Sequence, residues 1–551
     1  AMPEFFKTSR LKVALISIGS ALITVYLLRH NLSADWGIID DHRLLYFIGP
    51  DGILRLSEIP EMLINTEITR PGLAARYRPS YFLLVFIEGF LWGDSVFLWY
   101  FSKLLLFFSS VAILWWLVSK KVGVAVAFFF TLSILTLTCW VDIYTRLGPH
   151  ELYAVFGAAI YALGFINILY NDKERGLSGR VRTVSWLLIL FGAAIAMGVK
   201  ENLLILLLPT AFLFIVLLKR RALSLFNLVC LSLTAAYGLF IGGAIVVALS
   251  KVKVDIYQNQ VEVSGRMGLV GTALKGFLFG DFVIIFFIFL LLAFVLVYLY
   301  LKRKGDTEGE GRKLLLSYLS GYIILFTCLA VLYISQYVFY NGSWPVGNRY
   351  DFPGLLAVPF FYLSSVIVLL RLAALLKLGK SVGTAILVIY SLVLIYSTYQ
   401  TGFKEIKDAS MANAYSTKVF SSKLSHVVER LSEERDANLV LVINDPIYFE
   451  HLISIPRHLR VRGLKSDIYL WLPPWNPEKF NSQQKRVLAR SLDEASLKGT
   501  VDAAAQGIRN RFFGKNPGVK PIGEFYKSKQ RCYSISFVGP AKVPGCTDIL
   551  N

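Results

Sequence analysis

The chain has 551 residues, of which 55% are hydrophobic and only 17% charged. A water-soluble chain of this length carries far more charge, so a soluble multidomain enzyme is excluded. The 57 Lys and Arg against 37 Asp and Glu give a net charge of +20, yet the basic residues gather between long apolar runs. There they report membrane orientation rather than a nucleic-acid surface.

Read in chain order, "AMPEFF" has the look of a tag remnant, and the first apolar run, Leu11 to Leu28, is too long for a cleaved signal peptide. It reads as a retained span. Further runs of about 20 apolar residues, the length needed to cross a bilayer, follow to residue 398. Spans are expected near 11–29, 94–118, 122–141, 151–170, 183–199, 202–218, 224–249, 280–301, 314–337, 353–370 and 381–398, eleven in all. The alternation of an outer-membrane barrel does not occur. "PSYFLLVFIEGFLW" (79–92) is too short to span and is interrupted by Glu88, so it reads as an interfacial helix in a long first loop, 30–93.

Charge parity supports that division. With 79–92 left out of the count, Lys7, Arg10, Lys12, Lys120, Lys121, the 173–182 group, Lys219, Arg220, Arg221, the 301–313 run, Arg371, Lys377 and Lys380 share one side. The positive-inside rule makes that side cytoplasmic. The tail from about 400 then lies outside the cytoplasm. It begins with one or two amphipathic helices and contains strands at 438–446 and 531–538, which predicts a small α/β domain over 401–551. "WLPPWNPEKF" (471–480) reads as a Pro-stiffened loop around packed Trp or as a carbohydrate-facing surface. Cys139, Cys230 and Cys328 read as packing residues, whereas Cys532 and Cys546 are placed to pair in an oxidising compartment.

The same topology gathers ionisable residues at the outer ends of spans: Asp40, Asp41 and His42; Arg76 and Arg78; Asp142, Arg146, His150 and Glu151; Lys200 and Glu201; Arg266; Arg349 and Asp351. Charge at a membrane edge is costly unless paired or used. A carboxylate there can take a proton from an acceptor hydroxyl, and neighbouring cations can hold a phosphate leaving group. The combination suits glycosyl transfer from a lipid-phosphate donor.

Several short stretches carry a family resemblance. "DDH" (40–42) follows the first span, "RYRPSYFLL" (76–84) leads into the interfacial helix, and "WGDSVFLWYFSK" (92–103) opens the second span. "TRLGPHE" (145–151) and "GNRYDFP" (347–353) stand in later outer loops. Over residues 10–400 the arrangement resembles the GT-C superfamily of polytopic glycosyltransferases, which use polyprenyl-phosphate-linked sugars. The resemblance implies a GT-C-like membrane domain over 1–400, with Asp41 or Asp40 as general base; the sequence leaves that choice open. It further implies donor-phosphate contacts from Arg349, Lys200, Arg146 and Lys103, with snorkelling to the interface as the other reading of Lys103. Substrate or acceptor contacts fall to His42, Arg78, His150, Glu151, Tyr350 and Trp344, although His150 and Glu151 also suit helix capping. The family's oligosaccharyltransferase members bind a divalent metal through several acidic residues; that fuller set is not evident here, and no metal ligand is assigned. The expected partners are a polyprenyl-phosphate sugar, an acceptor glycan, lipid or protein, and the bilayer, with no nucleic acid. A bacterial inner membrane is the expected location, although "NGS" at 341–343 also suits an endoplasmic-reticulum lumen. A lipid or sugar transporter and a polysaccharide polymerase or ligase outside this superfamily are the competing classes.

Overall fold

The computed structural model describes residues 5–38, 40–49, 51–64, 66, 68–69, 77–174, 179–251, 263–280, 282–304, 309–339, 347–401, 404–434, 437–442, 449–471, 519–521, 531–536, 543 and 546–548. The chain is a multi-pass helical membrane protein. Among the described residues ten helices are long and apolar enough to cross a bilayer, and a bent pair makes up to eleven. In chain order the membrane helices are α1 (Phe5–Leu28), α5 (Val96–Val122), the pair α6 (Val124–Leu135) and α7 (Cys139–Thr145), α8 (Glu151–Glu174), α9 (Gly179–Val199), α10 (Leu207–Lys219), α11 (Leu225–Lys251), α13 (Val283–Arg303), α14 (Glu310–Phe339), α15 (Ala357–Leu375) and α16 (Lys380–Thr401). The first loop holds α2 (Asp41–Ile48), α3 (Ile59–Ile64) and α4 (Pro79–Trp92). Large apolar side chains such as Leu22, Phe289 and Leu292 stay exposed on the outer faces of their helices, as lipid-facing positions require.

Two features depart from the sequence reading. The expected third span, 122–141, is broken, its halves meeting at 84°. The break falls at "TLT", where Thr136 Oγ1 donates to the Ser133 carbonyl at 2.7 Å and Trp140 Nε1 donates to the Ile134 carbonyl at 2.6 Å. Side chains thus take carbonyls that a continuing helix would use. The second departure is α12 (Val263–Phe279), which begins inside the stretch read as a loop. Gly268, Gly271 and Gly276 weaken its helical signal, and packing against α14 and α13 supplies what propensity does not.

Contacts fix which ends of the helices lie together. Lys12 Nζ reaches the Ser119 carbonyl at 3.4 Å, Lys120 Nζ reaches Asn167, and Arg220 Nη1 reaches the Leu169 carbonyl at 3.3 Å. The basic ends therefore form one face. At the other face Asn31 Nδ2 donates to the Tyr144 carbonyl at 2.8 Å, so α6 and α7 together carry the chain from one face to the other. The tightest helix pair is α8 with α9. A Cβ on Gly157 would lie 2.7 Å from the Ala196 nitrogen, and one on Gly192 would lie 2.5 Å from the Tyr161 nitrogen. Small residues let these backbones touch, the usual way for membrane helices to gain packing.

The tail begins with one helix, α17 (Lys404–Glu433), and continues through β1 (Asn438–Val442), α18 (Phe449–Val461), β2 (Ile468–Trp471), β3 (Val519–Pro521), β4 (Cys532–Ser536) and β5 (Thr547–Asp548). The strands form one parallel sheet in the order β3-β2-β1-β4-β5. Central β1 is buried throughout: Leu439 and Leu441 pack with α17 and α18, while Val440 and Val442 face the other side. Cys532 and Cys546 form a disulfide that ties β4 to the start of β5; a closed loop of this length contributes about 3 kcal/mol. Residues 472–480, with most of the aromatic-proline stretch, lie outside the described residues.

Candidate active site

The face opposite the basic ends carries a cluster of ionisable side chains, built from the first loop, the α7–α8 turn, the end of α9 and the 347–353 turn. Asp40 precedes α2 with φ 68° and ψ −43°, a backbone region that costs an L-residue roughly 1–3 kcal/mol. The neighbouring turn fits around it: a Cβ on Gly148 would lie 2.0 Å from the Asp40 Cβ. Gly148→Ala is expected to lose about 1–3 kcal/mol through overpacking, seen as a lower unfolding midpoint in detergent; an unchanged midpoint would show that the turn has room.

Asp41, the first residue of α2, is buried at 1% exposure. Its Oδ2 accepts the Gly37 N–H at 2.6 Å, and its Oδ1 accepts no hydrogen bond among the described residues. Burial pushes this carboxyl up to about 7, with the Asp40 charge adding to the rise and the Gly37 N–H, the Arg146 charge and the nearby Gly148 N–H opposing it. Asp40 is more open and is engaged by Arg349, whose Nη1 lies 2.9 Å from its Oδ2. The two adjacent aspartates thus differ sharply: one is paired, the other is desolvated with an oxygen to spare.

Around them the cations come from separate elements. Arg146 Nη2 lies 3.3 Å from Asp142, one helical turn back, while its Nε is buried with no hydrogen bond among the described residues. Glu151 opens α8, where the helix dipole favours a negative charge. It is fully buried, with Oε1 3.0 Å from Lys200 Nζ and 3.4 Å from His150 Nε2. Lys200 stands at the break between α9 and the 3-10 turn Glu201–Leu206, so the close α8–α9 contact sets the Glu151–Lys200 spacing. Arg78 Nη1 approaches His150 Nε2 at 3.1 Å. Arg349 and Tyr350 belong to the turn Arg349–Asp351, held by Gln336 donating to the Tyr350 carbonyl and by Asn202 donating to Gln336 Oε1 at 2.8 Å. Lys200 Nζ and the Arg349 guanidinium lie 6.0 and 5.2 Å from the Tyr350 ring centroid.

Of the residues singled out from sequence, the structure brings together Asp40, Asp41, Arg78, Arg146, His150, Glu151, Lys200, Arg349 and Tyr350. Lys103 lies one layer deeper and does not snorkel. Its ammonium is buried 2.6 Å from Glu88 Oε2, and Tyr153 hydrogen-bonds both. A buried lysine of this kind needs its carboxylate. Trp344, Arg76 and the side chains of His42 and Arg266 lie outside the described residues. Sequence reasoning missed Gly37 and Gly148, whose backbones fit against the two aspartates, and Asn202 and Gln336, whose side-chain amides hold the 349–351 turn. Among the described residues no three His, Cys, Asp or Glu side chains gather as metal ligands.

No family model and no curated protein matches this chain. Among solved structures it is similar to ArnT from Cupriavidus metallidurans bound to undecaprenyl phosphate, at 11% identity over 94% of this chain and 90% of that one, with a TM-score of 0.42. The apo state of the same protein gives 12% identity over 93% and 90%, with a TM-score of 0.41. A likeness this faint assigns neither activity nor substrate, which rest on the site itself.

Proposed function

We propose that the chain is a GT-C-type glycosyltransferase that moves a sugar from a polyprenyl-phosphate donor to an acceptor hydroxyl at the extracytoplasmic membrane face. One observation carries this reading: a desolvated aspartate with an unused oxygen stands beside cations from four separate segments at a membrane edge. A proton acceptor near neutrality is what general-base work at physiological pH requires. The cations supply the charge that a leaving phosphate needs.

The acceptor hydroxyl gives its proton to Asp41 Oδ1 as its oxygen bonds to the anomeric carbon. The anomeric carbon–oxygen bond to phosphate breaks, and the electron pair leaves on the phosphate, held by Arg349 and Lys200. A single direct displacement of this kind inverts the anomeric centre. Arg349, Lys200 and Arg146 each face a carboxylate already. The donor phosphate therefore takes Arg349 in exchange for Asp40 rather than filling an isolated cationic hole. Two independent features support the extracytoplasmic placement: the basic loops gather at the opposite face, and the tail carries a disulfide, which persists in oxidising compartments.

Purified protein in lipid nanodiscs, offered a panel of polyprenyl-monophosphate sugars, polyprenyl-diphosphate sugars and nucleotide sugars, tests the proposal. Transfer from monophosphate donors, with one polyprenyl phosphate released per sugar, is the expected result. Turnover confined to diphosphate donors would favour a polymerase or ligase, and lipid movement without bond cleavage a transporter.

A further inference from the structure

The tail helix α18 reaches back onto the segment that presents the two aspartates. His458 is fully buried, edge-on to Phe420 of α17 with ring centroids 5.1 Å apart, and its Nε2 lies 3.0 Å from the Gly37 carbonyl. A carbonyl only accepts, so Nε2 carries the proton; Arg462 Nη1 lies 3.4 Å from Nδ1, and the same tautomer serves both contacts. One turn earlier, on the same helix face, Ser454 Oγ donates to the Ile38 carbonyl. Gly37 is thereby held at both ends, its carbonyl by His458 and its N–H by Asp41 Oδ2. The rest of the segment is tied to α17: Thr417 Oγ1 accepts the Asp35 N–H at 2.9 Å, and Ser410 Oγ donates to Asn31 Oδ1 at 3.0 Å.

We propose that His458 and Ser454 are positioning residues for Asp41. By clamping the carbonyls of residues 37 and 38, the tail fixes the N–H that orients the Asp41 carboxylate, and so forms part of the membrane-edge site rather than a separate module. The steric fit agrees: a Cβ on residue 37 would lie 3.0 Å from Asp41 Oδ2, which leaves the segment little freedom to shift. The kinetic consequence rests on Asp41 being the transferase base; the mechanical one does not.

The full chain in nanodiscs, as wild type, His458→Ala, His458→Gln and Ser454→Ala, separates the two. Hydrogen–deuterium exchange of peptides covering 35–48 should quicken by about tenfold in His458→Ala, while α8 and α9 stay protected. His458→Gln keeps a donor of similar reach and should restore protection. In the transfer assay kcat should fall by about tenfold with donor KM within about twofold. The acid limb of the pH profile should move upward, because loosening Gly37 removes a contact that holds the Asp41 carboxyl down. Unchanged exchange over 35–48 overturns the clamp. Faster exchange with an unmoved acid limb and a donor KM that rises with the loss of kcat reduces it to general loosening and overturns the positioning role. Faster exchange in a protein that transfers from no donor leaves the clamp standing and removes the transferase reading instead.

Discussion

Asp41→Asn is expected to lower kcat by about a hundred- to ten-thousandfold, the usual contribution of a general base, while the protein becomes more rather than less stable above neutrality. The two effects share one cause. Burial lifts the Asp41 carboxyl from 3.8 to about 7, so the folded state holds this proton more tightly than the unfolded chain. The proton's stabilisation is fully present below the unfolded value and is lost as pH rises through about 7; above that the fold carries a buried charge. The difference is on the order of 4 kcal/mol. Asparagine keeps an oxygen for the Gly37 N–H and removes the charge. For the wild type, kcat/KM should decline as pH falls through about 7 and the base becomes protonated. Asp40→Asn instead removes the partner of Arg349, a half-open ion pair, and should cost less than about tenfold. If Asp40→Asn proves the more damaging substitution, the two aspartates exchange roles.

The spans were legible because each is a long apolar run bounded by charge, and hydropathy reads that directly. The break between α6 and α7 was not, because it depends on Thr136, just past the end of α6, and Trp140 of α7 bonding carbonyls of the last turn of α6. For the site, parity arguments could place Asp40, Arg146, Lys200 and Arg349 at one face. They could not show that Arg349 meets Asp40 across 309 positions of chain, or that Glu151 meets Lys200 through a glycine-lined helix contact. Glu88 drew notice only as an interruption in an apolar stretch, and its buried pairing with Lys103 is a tertiary fact. His458 left no usable trace at all. It lies in a tail helix that contains an internal proline, and only the fold sets that helix against the first loop.

Lys200 offers the sharpest separation of folding from chemistry. It and Glu151 are both buried, 3.0 Å apart, and Glu151 Oε2 already lacks a hydrogen bond among the described residues. Lys200→Met leaves that carboxylate buried without its ammonium, a change that costs about 3–5 kcal/mol in comparable pairs. The Arg349 charge still acts on Glu151, so the expected loss lies at the lower end, about 3 kcal/mol. Lys200→Met with Glu151→Gln removes both charges and should recover most of the stability, because a buried pair exchanged for neutral groups of similar size is near neutral. Donor binding should not recover with it: the double variant keeps a high donor KM, since the phosphate has lost one of its two cations. Unfolding midpoints measured beside donor KM for the wild type and three variants give the cycle. Recovery of both quantities together would make Lys200 a structural partner of Glu151 alone and leave the phosphate to Arg349.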